Sequence, residues 1–467
     1  MKRIIIYLLL IIPALNFAQG SGSSLNFDGT NDMVDLPASI TQGFTTNFSI
    51  QFWFKPKSNN YDRIISKYIG NGTGDSGDFI IDTYSPTNNG RGLRFWMSNG
   101  TLNSVIDIDN VTTLNTWNHV TVTFDNGEMK IFVNGSMVIN GSSTFSALPI
   151  SSVKTVIGED RISSYAEFFN GNIDELSFWT TTLSESEIKS WMCKKITSSH
   201  PNYANLVAYY NADSGSGSTL VDQSSNTNNG TLVNSPTWQT SSAPLGDENI
   251  YLTTVSNGSS LNLVHSDGSD LTVNVTGGTA ESLFIYNVNE EPNVTTLPLG
   301  LDQLSQTNYW GIKSFGSSSL VYEVVYNYDG HSGISDESNL RLCSRADNAT
   351  LSWAEESATL NTTTNTLTLG GQTGTEFILG SVGGNTLPVN EFELKDYTFF
   401  PNPTSDFLKL TEGDFIDNYY QIFDIRGGKI LEGKIKFENK IDVRNLSEGL
   451  YFLKFENSES YRFIKNK

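Results

Sequence analysis

The stretch WNHVTVTFDNGEMKIFVNGSMV, residues 117–138, contains three short runs rich in β-branched and aromatic residues. Asn126-Gly127 and Asn134-Gly135 separate these runs. An Asn-Gly pair favours a type I′ turn, because both central residues of that turn need a positive φ angle. Two such turns in succession predict three consecutive antiparallel strands, and at this length an all-β sandwich.

The same alternation recurs across residues 20–245. In FSIQFWFKP (48–56), Phe48, Ile50, Phe52 and Phe54 occupy every second position, so they share one face of an extended strand. This part of the chain is therefore expected to be almost entirely strand.

One short helix is predicted to interrupt the strands. In SESEIKSWM (184–192), Ser184 and Glu187 have the S-x-x-E spacing of a capping box, in which each side chain satisfies a backbone N–H at the helix start. Ile188, Trp191 and Met192 then share one apolar face.

Composition limits the class of protein. A chain of 467 residues is too long for one compact core, so we expect about three domains. Only 17% of the residues are charged and 40 are Gly, which favours strands joined by turns. The net charge of −21 argues against nucleic acid as a partner, because phosphates would be repelled. We expect an acidic, soluble, extracellular protein.

The first residues, MKRIIIYLLLIIPALNFAQG, are typical of a secretory signal peptide over residues 1–18. Lys2 and Arg3 supply the positive start, and residues 4–15 form an apolar run that is too short to span a bilayer. Cleavage is expected near Ala18. No later run has transmembrane length, so we expect no transmembrane segment in the mature chain.

Two cysteines, Cys193 and Cys343, fall in different candidate domains. Export exposes thiols to oxidation, so we expect one disulfide that clamps one domain to the next. The alternative is two buried free thiols.

Four stretches together resemble the laminin-G-like, concanavalin-type jelly roll of bacterial surface proteins. They are LNFDGTNDMVDLP (25–37), FSIQFWFKP (48–56), the stretch at 117–138, and GNIDELSFWTTTLSESEI (171–188). The resemblance covers roughly residues 24–192 and implies a jelly-roll domain over residues 20–245. Residues 206–232 look like the opening strand and loop of the same family, displaced to its end. They either complete the sandwich or are the remnant of a second copy.

Residues 246–385 form another strand-rich block, which is expected to be an immunoglobulin-like or similar β-sandwich that acts as a spacer. After a linker, DYTFFPNPTSDFLKL (396–410), YYQIFDIRGGKILEG (419–433) and NLSEGLYFLKF (445–455) resemble the C-terminal sorting domain of type IX secretion. The resemblance implies a small β-sandwich over residues 393–467, read by the type IX secretion machinery and usually removed. The alternative is a third β-domain with no role in transport.

The adjacent pair Asp174 and Glu175 decides whether the chain is expected to be an enzyme. The fold is shared with glycoside hydrolases of the laminarinase type, which carry E-x-D-x-x-E, and no such motif occurs here. Adjacent residues of a strand point to opposite faces, so the pair should not act on one glycosidic bond. The histidines are scattered, and His119 is expected to be structural. We therefore expect no catalytic site.

A structural calcium ion is implied by the resemblance, at the place where the first and last strands pair. Asp28 and Asp174 hold the matching positions, with Asp32 a weaker third ligand, and carboxylates are the oxygen ligands that Ca²⁺ prefers. The alternative is that Asp28 makes a turn and Asp174 caps a loop.

Loop aromatics are the candidate ligand-binding residues, because their faces match the C–H faces of a sugar ring. They are Tyr61, Tyr68, Tyr84 and Tyr165, with Arg91 and Asn89 as polar neighbours. The alternative is that they cover the edges of the sandwich. A further set of aromatics falls within strands and is expected in the core: Trp53, Trp96, Trp117 and Trp179.

These patterns favour a secreted or cell-surface binding protein without catalytic activity, whose ligand is a glycan or the extracellular matrix. The alternatives are a glycan hydrolase with an undetected site, and a structural surface or biofilm component with no specific ligand.

Overall fold

The computed structural model describes residues 22–466, except 59, 69–75, 85–90, 160–166, 374–375, 388–398, 411–418, 426–427, 436–439 and 456–459. The predicted signal peptide lies outside the described residues. The fold is all-β, as predicted: strands account for most of the regular structure, with one α-helix in the described residues. The chain divides into two compact units, Met1–Val389 and Asn390–Lys467.

Sixteen strands and the helix are described in residues 23–240. They are β1 (Ser23–Asp28), β2 (Met33–Asp35), β3 (Asn47–Pro56), β4 (Arg63–Lys67), β5 (Ser76–Asp82), β6 (Leu93–Asn99), β7 (Asn103–Ile108), β8 (Asn118–Asp125), β9 (Glu128–Val133), β10 (Ser136–Ser142), β11 (Val156–Ile157), β12 (Asn170–Trp179), α1 (Glu185–Trp191), β13 (Leu206–Tyr210), β14 (Thr219–Leu220), β15 (Gly230–Val233) and β16 (Thr237–Thr240).

These strands form two antiparallel sheets. The first sheet has the order β10-β9-β8-β3-β12-β1-β16, with β13 also paired to β12. The second sheet has the order β14-β15-β2-β11-β4-β5-β6-β7. Both sheets contribute to one apolar core, in which Phe48, Ile50, Phe52 and Phe54 are fully buried. The alternation predicted for β3 therefore points its apolar face into the sandwich.

The stretch at 117–138 forms the predicted double hairpin of β8, β9 and β10. Asn126 and Gly127 have φ angles of 48° and 100°, and Asn134 and Gly135 have φ angles of 52° and 81°. These positive values at both central positions are what the Asn-Gly pairs allow at little energetic cost.

Residues 206–240 complete the sandwich. Strand β13 pairs with β12, β15 pairs with β2, and β16 pairs with β1. Of the two alternatives left open by the sequence, the displaced-strand interpretation is therefore correct.

Helix α1 begins with the predicted capping box. The Glu187 N–H donates to Ser184 Oγ at 3.3 Å, and the Ser184 N–H donates to Glu187 Oε2 at 2.8 Å. Ile188 packs against Phe132 and Trp179 on the outer face of the first sheet. The helix therefore covers part of that face.

Eleven strands are described between residues 248 and 381. They are β17 (Glu248–Ser256), β18 (Ser260–Val264), β19 (Asp270–Val288), β20 (Gln303–Leu304), β21 (Tyr309–Phe315), β22 (Ser318–Asn327), β23 (Leu340–Arg345), β24 (Ala354–Glu355), β25 (Thr359–Asn361), β26 (Thr366–Gln372) and β27 (Glu376–Ser381).

Hydrogen bonds join these strands into one sheet that folds over its own core. The first half of β19 pairs with β18 and β22, and its second half pairs with β17 and β21. The strand changes partners near Gly278, whose φ angle is 74° and where an added Cβ would lie 2.2 Å from the Ser319 carbonyl oxygen. Glycine is the residue that fits this bend. We call residues 248–381 the middle domain.

Cys193 and Cys343 do not form the predicted disulfide; both are free and buried. Cys193 packs with Trp53 and Phe284, whereas Cys343, in β23, packs in a separate apolar cluster with Trp353. The prediction was wrong because tertiary packing places the two thiols in different clusters. Burial raises the pKa of the Cys193 thiol, and raises that of Cys343 to about 12, so both stay protonated and unreactive.

Because the thiols are free, we expect a reducing agent to leave the thermal unfolding midpoint of the purified protein unchanged. In denaturant without reductant, a thiol reagent is expected to modify both cysteines of each chain. Mass spectrometry measures the modification. A disulfide would be shown if the chain gained no label before reduction and gained two thiol labels after it.

The second unit holds two small sheets. Its strands are β28 (Phe399–Phe400), β29 (Phe407–Leu410), β30 (Tyr419–Asp424), β31 (Lys429–Lys434), β32 (Lys440–Asp442), β33 (Gly449–Phe455) and β34 (Ser460–Lys465). The orders are β28-β29-β32 and β31-β30-β33-β34. One core is shared by both sheets of this unit: Leu408 comes from the three-stranded sheet, and Ile422, Leu453 and Phe463 come from the four-stranded sheet. Across the described residues of both units, no helix is long and apolar enough to cross a membrane.

Candidate functional site

The outer face of the first sheet is covered. Trp53 and Trp117 pack in one cluster with Phe284 and Phe315 of the middle domain. Trp179 packs in the cluster beneath helix α1. These three tryptophans are buried, as predicted. A ligand would have to separate the two domains, or lift the helix, to reach this face.

The second sheet presents its outer face differently. In β6, Leu93, Phe95 and Met97 point into the core, so Arg94 and Trp96 point outward. The principal contacts of β5 and β6 are with strands of their own sheet. We call the outer side of β4–β7, with the side chains that pack on it, the open face. Its described members include Tyr61, Arg63, Tyr68, Ile80, Asp82, Tyr84, Arg94, Trp96, Val105 and Asp107.

A charged network anchors this face. Asp82 is fully buried and accepts hydrogen bonds from two guanidinium groups. Arg63 Nη1 donates to Asp82 Oδ2, and Arg94 donates through Nε to Oδ1 at 3.1 Å and through Nη2 to Oδ2 at 2.5 Å. Arg63 Nη2 also lies 2.7 Å from Glu167 Oε2. The forked geometry offsets the desolvation of these charges and holds both arginines in place.

Two of the predicted tyrosines meet over this network. The rings of Tyr61 and Tyr84 lie 5.1 Å apart at 82°, and the Arg94 guanidinium carbon lies 5.1 Å and 4.6 Å from their centres. Thr83 ties the two segments together, because its N–H donates to the Asp62 carbonyl at 3.0 Å and its Oγ1 accepts from the Asp62 N–H at 2.9 Å. The sequence named both tyrosines but missed the arginines that hold them.

Trp96 is the main correction at this face. It was expected in the core, but it is partly exposed and its ring lies 5.5 Å from that of Tyr68 at 76°. Val105, half exposed, lies opposite Trp96 on β7. The alternation in LRFWMSN (93–99) was the signal that could have identified it, since the inward residues there are Leu93, Phe95 and Met97.

The remaining predicted ligand residues are not part of this group. Arg91 is exposed ahead of β6, where its carbonyl oxygen accepts from the Val111 and Thr112 N–H groups at 3.0 Å and 3.1 Å. Asn89 and Tyr165 lie outside the described residues. The guanidinium that contacts the rings of Tyr61 and Tyr84 belongs to Arg94 of β6. Only the strand register could have identified it.

The adjacent carboxyl groups do not point to opposite faces, and this part of the sequence argument was wrong. Between Asp174 and Ser177 the register of β12 against β3 slips, and Glu175 takes a φ angle of 53°. This β-bulge interrupts the alternation of side chains. Asp174 and Glu175 are 1% and 6% exposed. Ser241 Oγ donates to Asp174 Oδ2 at 2.6 Å, and the Tyr209 hydroxyl donates to Glu175 Oε2.

Asp213 is the third member of what we call the carboxyl cluster, with Asp174 and Glu175. Burial raises the pKa of all three groups: Asp174 strongly, Glu175 to about 8 and Asp213 to about 7. Repulsion from Asp213 adds to the shifts of Asp174 and Glu175, and repulsion from Glu290 adds to that of Asp213. The cluster lies at the junction with the middle domain, where the Asn348 amide donates to the Ser241 carbonyl at 3.1 Å. The cavity that borders Asp174 measures about 10 Å³, which is too small for a sugar ring.

The predicted calcium ligands are not brought together. Asp28 lies opposite Asn170 at the end of β1, four residues along β12 from Asp174, which corresponds to about 13 Å. Asp28 and Asp32 do lie close, since the Asp28 N–H donates to Asp32 Oδ2 at 3.1 Å. In the described part of the chain, no group of three or more His, Cys, Asp or Glu residues is arranged to hold a metal ion. The predicted three-residue set does not fit a shared ion, and calcium binding stays a prediction.

His119 lies within β8, where the sequence placed it. Its ring packs edge-on at 5.1 Å from that of Trp53, and burial lowers its pKa to about 3. The imidazole is therefore neutral at physiological pH and packs within the covered face of the first sheet.

Solved structures resemble parts of this chain. A Bacteroides ovatus protein, provisionally named a carbohydrate-binding protein, is 19% identical with a TM-score of 0.39; the match covers 50% of this chain and 63% of that one, so less than two thirds of its length. A native heptameric SAP-like pentraxin from Limulus polyphemus is 19% identical (TM-score 0.29; 36% and 81% covered). The CBM40 of the Ruminococcus gnavus IT-sialidase, bound to α2,3 sialyllactose, is 18% identical (TM-score 0.30; 36% and 97% covered). At these TM-scores the likenesses carry no argument about function.

Family models give the clearer result. Residues 28–189 match the model of the concanavalin A-like lectin/glucanases superfamily, and residues 398–466 match that of the secretion system C-terminal sorting domain. No curated protein sequence matches the chain. Both resemblances predicted from the sequence are confirmed, and the sorting domain implies a secreted or cell-surface protein. The two family assignments therefore hold for residues 28–189 and 398–466 and are not extended to the rest of the chain.

Proposed function

We propose that this chain is an exported carbohydrate-binding protein without catalytic activity, and that the open face is its binding surface. One observation carries the proposal: the outer face of the first sheet is sealed by the middle domain and helix α1, whereas the second sheet presents Trp96 and Tyr68 beside Arg94. Aromatic rings match the apolar faces of sugar rings, and guanidinium and phenol groups hydrogen-bond to hydroxyls. Lectins and glucanases, for which the superfamily is named, both recognise carbohydrate.

A neutral glycan is the ligand class that the charges favour. At the centre of the open face, Arg63 and Arg94 are matched by Asp82 and Glu167. These cations already have carboxylate partners, so an acidic sugar would have to displace one of them. The net charge of −21 adds long-range repulsion of polyanions. Attachment to glycan-rich matrix at the cell surface would follow from this binding.

We propose that the chain has no catalytic activity because its carboxyl cluster is buried. A retaining glycosidase needs two carboxyl groups about 5 Å apart that face the same glycosidic bond. Asp174 and Glu175 lie under the middle domain, and the cavity beside Asp174 is too small for a sugar. Incubation of the purified chain with a panel of polysaccharides is expected to release no reducing ends, and their release would favour the glycan hydrolase instead.

Replacing Trp96 is expected to weaken binding strongly. Trp96→Ala removes the partly exposed indole ring of the open face, so the affinity for the neutral polysaccharide that binds best in a panel should fall about tenfold or more, equivalent to about 1.4 kcal/mol. Trp96→Phe keeps an aromatic surface and should retain part of the affinity. Isothermal titration calorimetry with the chain lacking its signal peptide measures both.

The matched control is Leu299→Ala, because Leu299 is a fully exposed apolar residue in the middle domain. It should bind like the unmodified chain. Unchanged binding by Trp96→Ala and by Tyr68→Ala would contradict the assignment of the open face. A panel in which no polysaccharide binds would favour a structural surface component with no specific ligand.

A further inference from the structure

The four-stranded sheet of the second unit has an apolar outer face. Along β33, Tyr451, Leu453 and Phe455 are buried in the core, so Leu450 and Phe452 point to the other side. Leu450 is 37% exposed. Two apolar residues in succession on the solvent side of a strand are unusual for a sheet that only has to be soluble.

The strand register extends this face across three strands. Phe452 lies opposite Phe423 of β30 on one side and Arg462 of β34 on the other. Leu450 lies opposite Ile464, which is 44% exposed. The apolar side chains of Phe423, Leu450, Phe452 and Ile464 are therefore neighbours; we call this group the tail face.

Basic side chains border the tail face. Lys454 follows Phe452 on the same side of β33, and the exposed Arg462 of β34 is the cross-strand neighbour of Phe452. Lys429 lies opposite Phe423 and pairs with Glu432 at 2.7 Å. The arrangement is an apolar centre with a largely cationic rim.

We propose that the tail face is the surface read during export, and that it docks onto a protein surface with an apolar centre and a rim of carboxylates. The proposal rests on the sorting assignment of residues 398–466. The matched range lies within the compact unit Asn390–Lys467, so the recognition surface is expected within that unit. The basic rim selects a partner of opposite charge, and the apolar centre supplies the buried area.

A protein partner fits better than a lipid surface. Phe423 and Phe452 are half buried among their neighbours on a sheet, so they do not protrude far enough to enter acyl chains. A flat arrangement of half-buried aromatic and aliphatic side chains instead matches the core of a protein interface.

The test uses the full chain in a bacterium with a type IX secretion system. Leu450→Thr combined with Ile464→Thr removes the apolar surface and keeps residues suited to a strand. We expect most of the protein to accumulate in the periplasm instead of the medium or cell surface. Arg462→Glu, which reverses an exposed rim charge, is expected to have the same direction of effect. Protease resistance of the purified variants verifies that the second unit is folded.

Leu351→Thr, at an exposed apolar residue of the middle domain, is the matched control and should be exported normally. Normal export of both the double variant and Arg462→Glu would overturn the proposal, while loss of export on deletion of the whole tail would still support the sorting role. Two further results would also overturn it: binding of the chain to anionic phospholipid vesicles that the double variant loses, or a chain dimer in sedimentation that the double variant abolishes.

Discussion

A chain that lacks residues 396–467 is expected to remain inside the cell, with no detectable protein in the medium or on the surface. The deleted segment contains the whole range that matches the sorting-domain model, residues 398–466, and it makes up most of the compact unit Asn390–Lys467. Its removal takes away the sorting signal for export and leaves the packing within Met1–Val389 intact. Immunoblotting of medium, surface and periplasmic fractions measures the result.

The control for this deletion is the fold of the retained protein. The truncated chain, purified from the periplasm, should show the same unfolding transition for its first unit as the full chain. Unchanged secretion of a folded, truncated chain would contradict the sorting role and leave the second unit as a β-domain without a part in transport.

The free energy of unfolding of the first unit is expected to fall as the pH rises from 6.5 to 8. The pKa of Glu175 is raised to about 8 and that of Asp213 to about 7, mainly by burial, so between these values and their ordinary pKa the folded state binds more protons than the unfolded state. By linkage, stability is then full at low pH and is lost as the pH rises through the folded-state pKa. Together the two groups correspond to a fall of about 2 kcal/mol over this window.

The window is chosen because two shifted histidines and one shifted lysine act mainly outside it. Burial lowers the pKa of His119 to about 3 and that of His200 to about 4, so these imidazoles oppose the carboxyl groups below pH 6.5. Burial also lowers the pKa of Lys67 to about 8, so its contribution rises above that pH. Within the window the hydrogen bond with Asp267 raises the pKa of His265, so this imidazole also contributes stability that is lost as the pH rises, and a variant of the carboxyl cluster is needed to separate the two effects.

Glu175→Gln tests this assignment, because the amide resembles the protonated acid and its oxygen still accepts from the Tyr209 hydroxyl. The variant should lose more than half of the pH dependence and be more stable than the unmodified chain at pH 8. Glu281→Gln, at an exposed glutamate of β19, is the matched control and should leave the dependence unchanged. Urea unfolding at several pH values provides the measurement, and an identical slope in Glu175→Gln and the unmodified chain would contradict the role of the cluster.

The sequence by itself determined the local features whose causes lie within a few residues. The Asn-Gly turns at 126–127 and 134–135 follow from the positive φ angles that these residues tolerate. The alternation of β3 follows from the two-residue repeat of side chains along a strand. The capping box at Ser184 and Glu187 follows from the need of the first backbone N–H groups of a helix for hydrogen-bond acceptors. Each of these is present in the structure. The two family resemblances rest on the same local motifs in a fixed order, which is why they were also confirmed.

The candidate site depended on relations between distant strands. Tyr61 and Tyr84 were named from their loops, but their contact through Arg94 follows from the register of β5 against β6, as does the outward position of Trp96. The separation of Cys193 from Cys343 likewise follows from how two domains pack. Nothing in the neighbouring residues encodes these distances.

Tertiary structure alone decided the placement of Asp174 and Glu175. In a regular strand these adjacent side chains would point to opposite faces. Strand β12 instead has a single extra residue, with Glu175 at a positive φ angle. Both carboxyl groups are therefore buried at the junction with the middle domain. The extra residue lies where the partner of β12 opposite β3 changes, because β12 pairs with β1 up to Ile173 and with β13 from Leu176. That change of partner belongs to the assembled sheet and cannot be read from the residues of one strand.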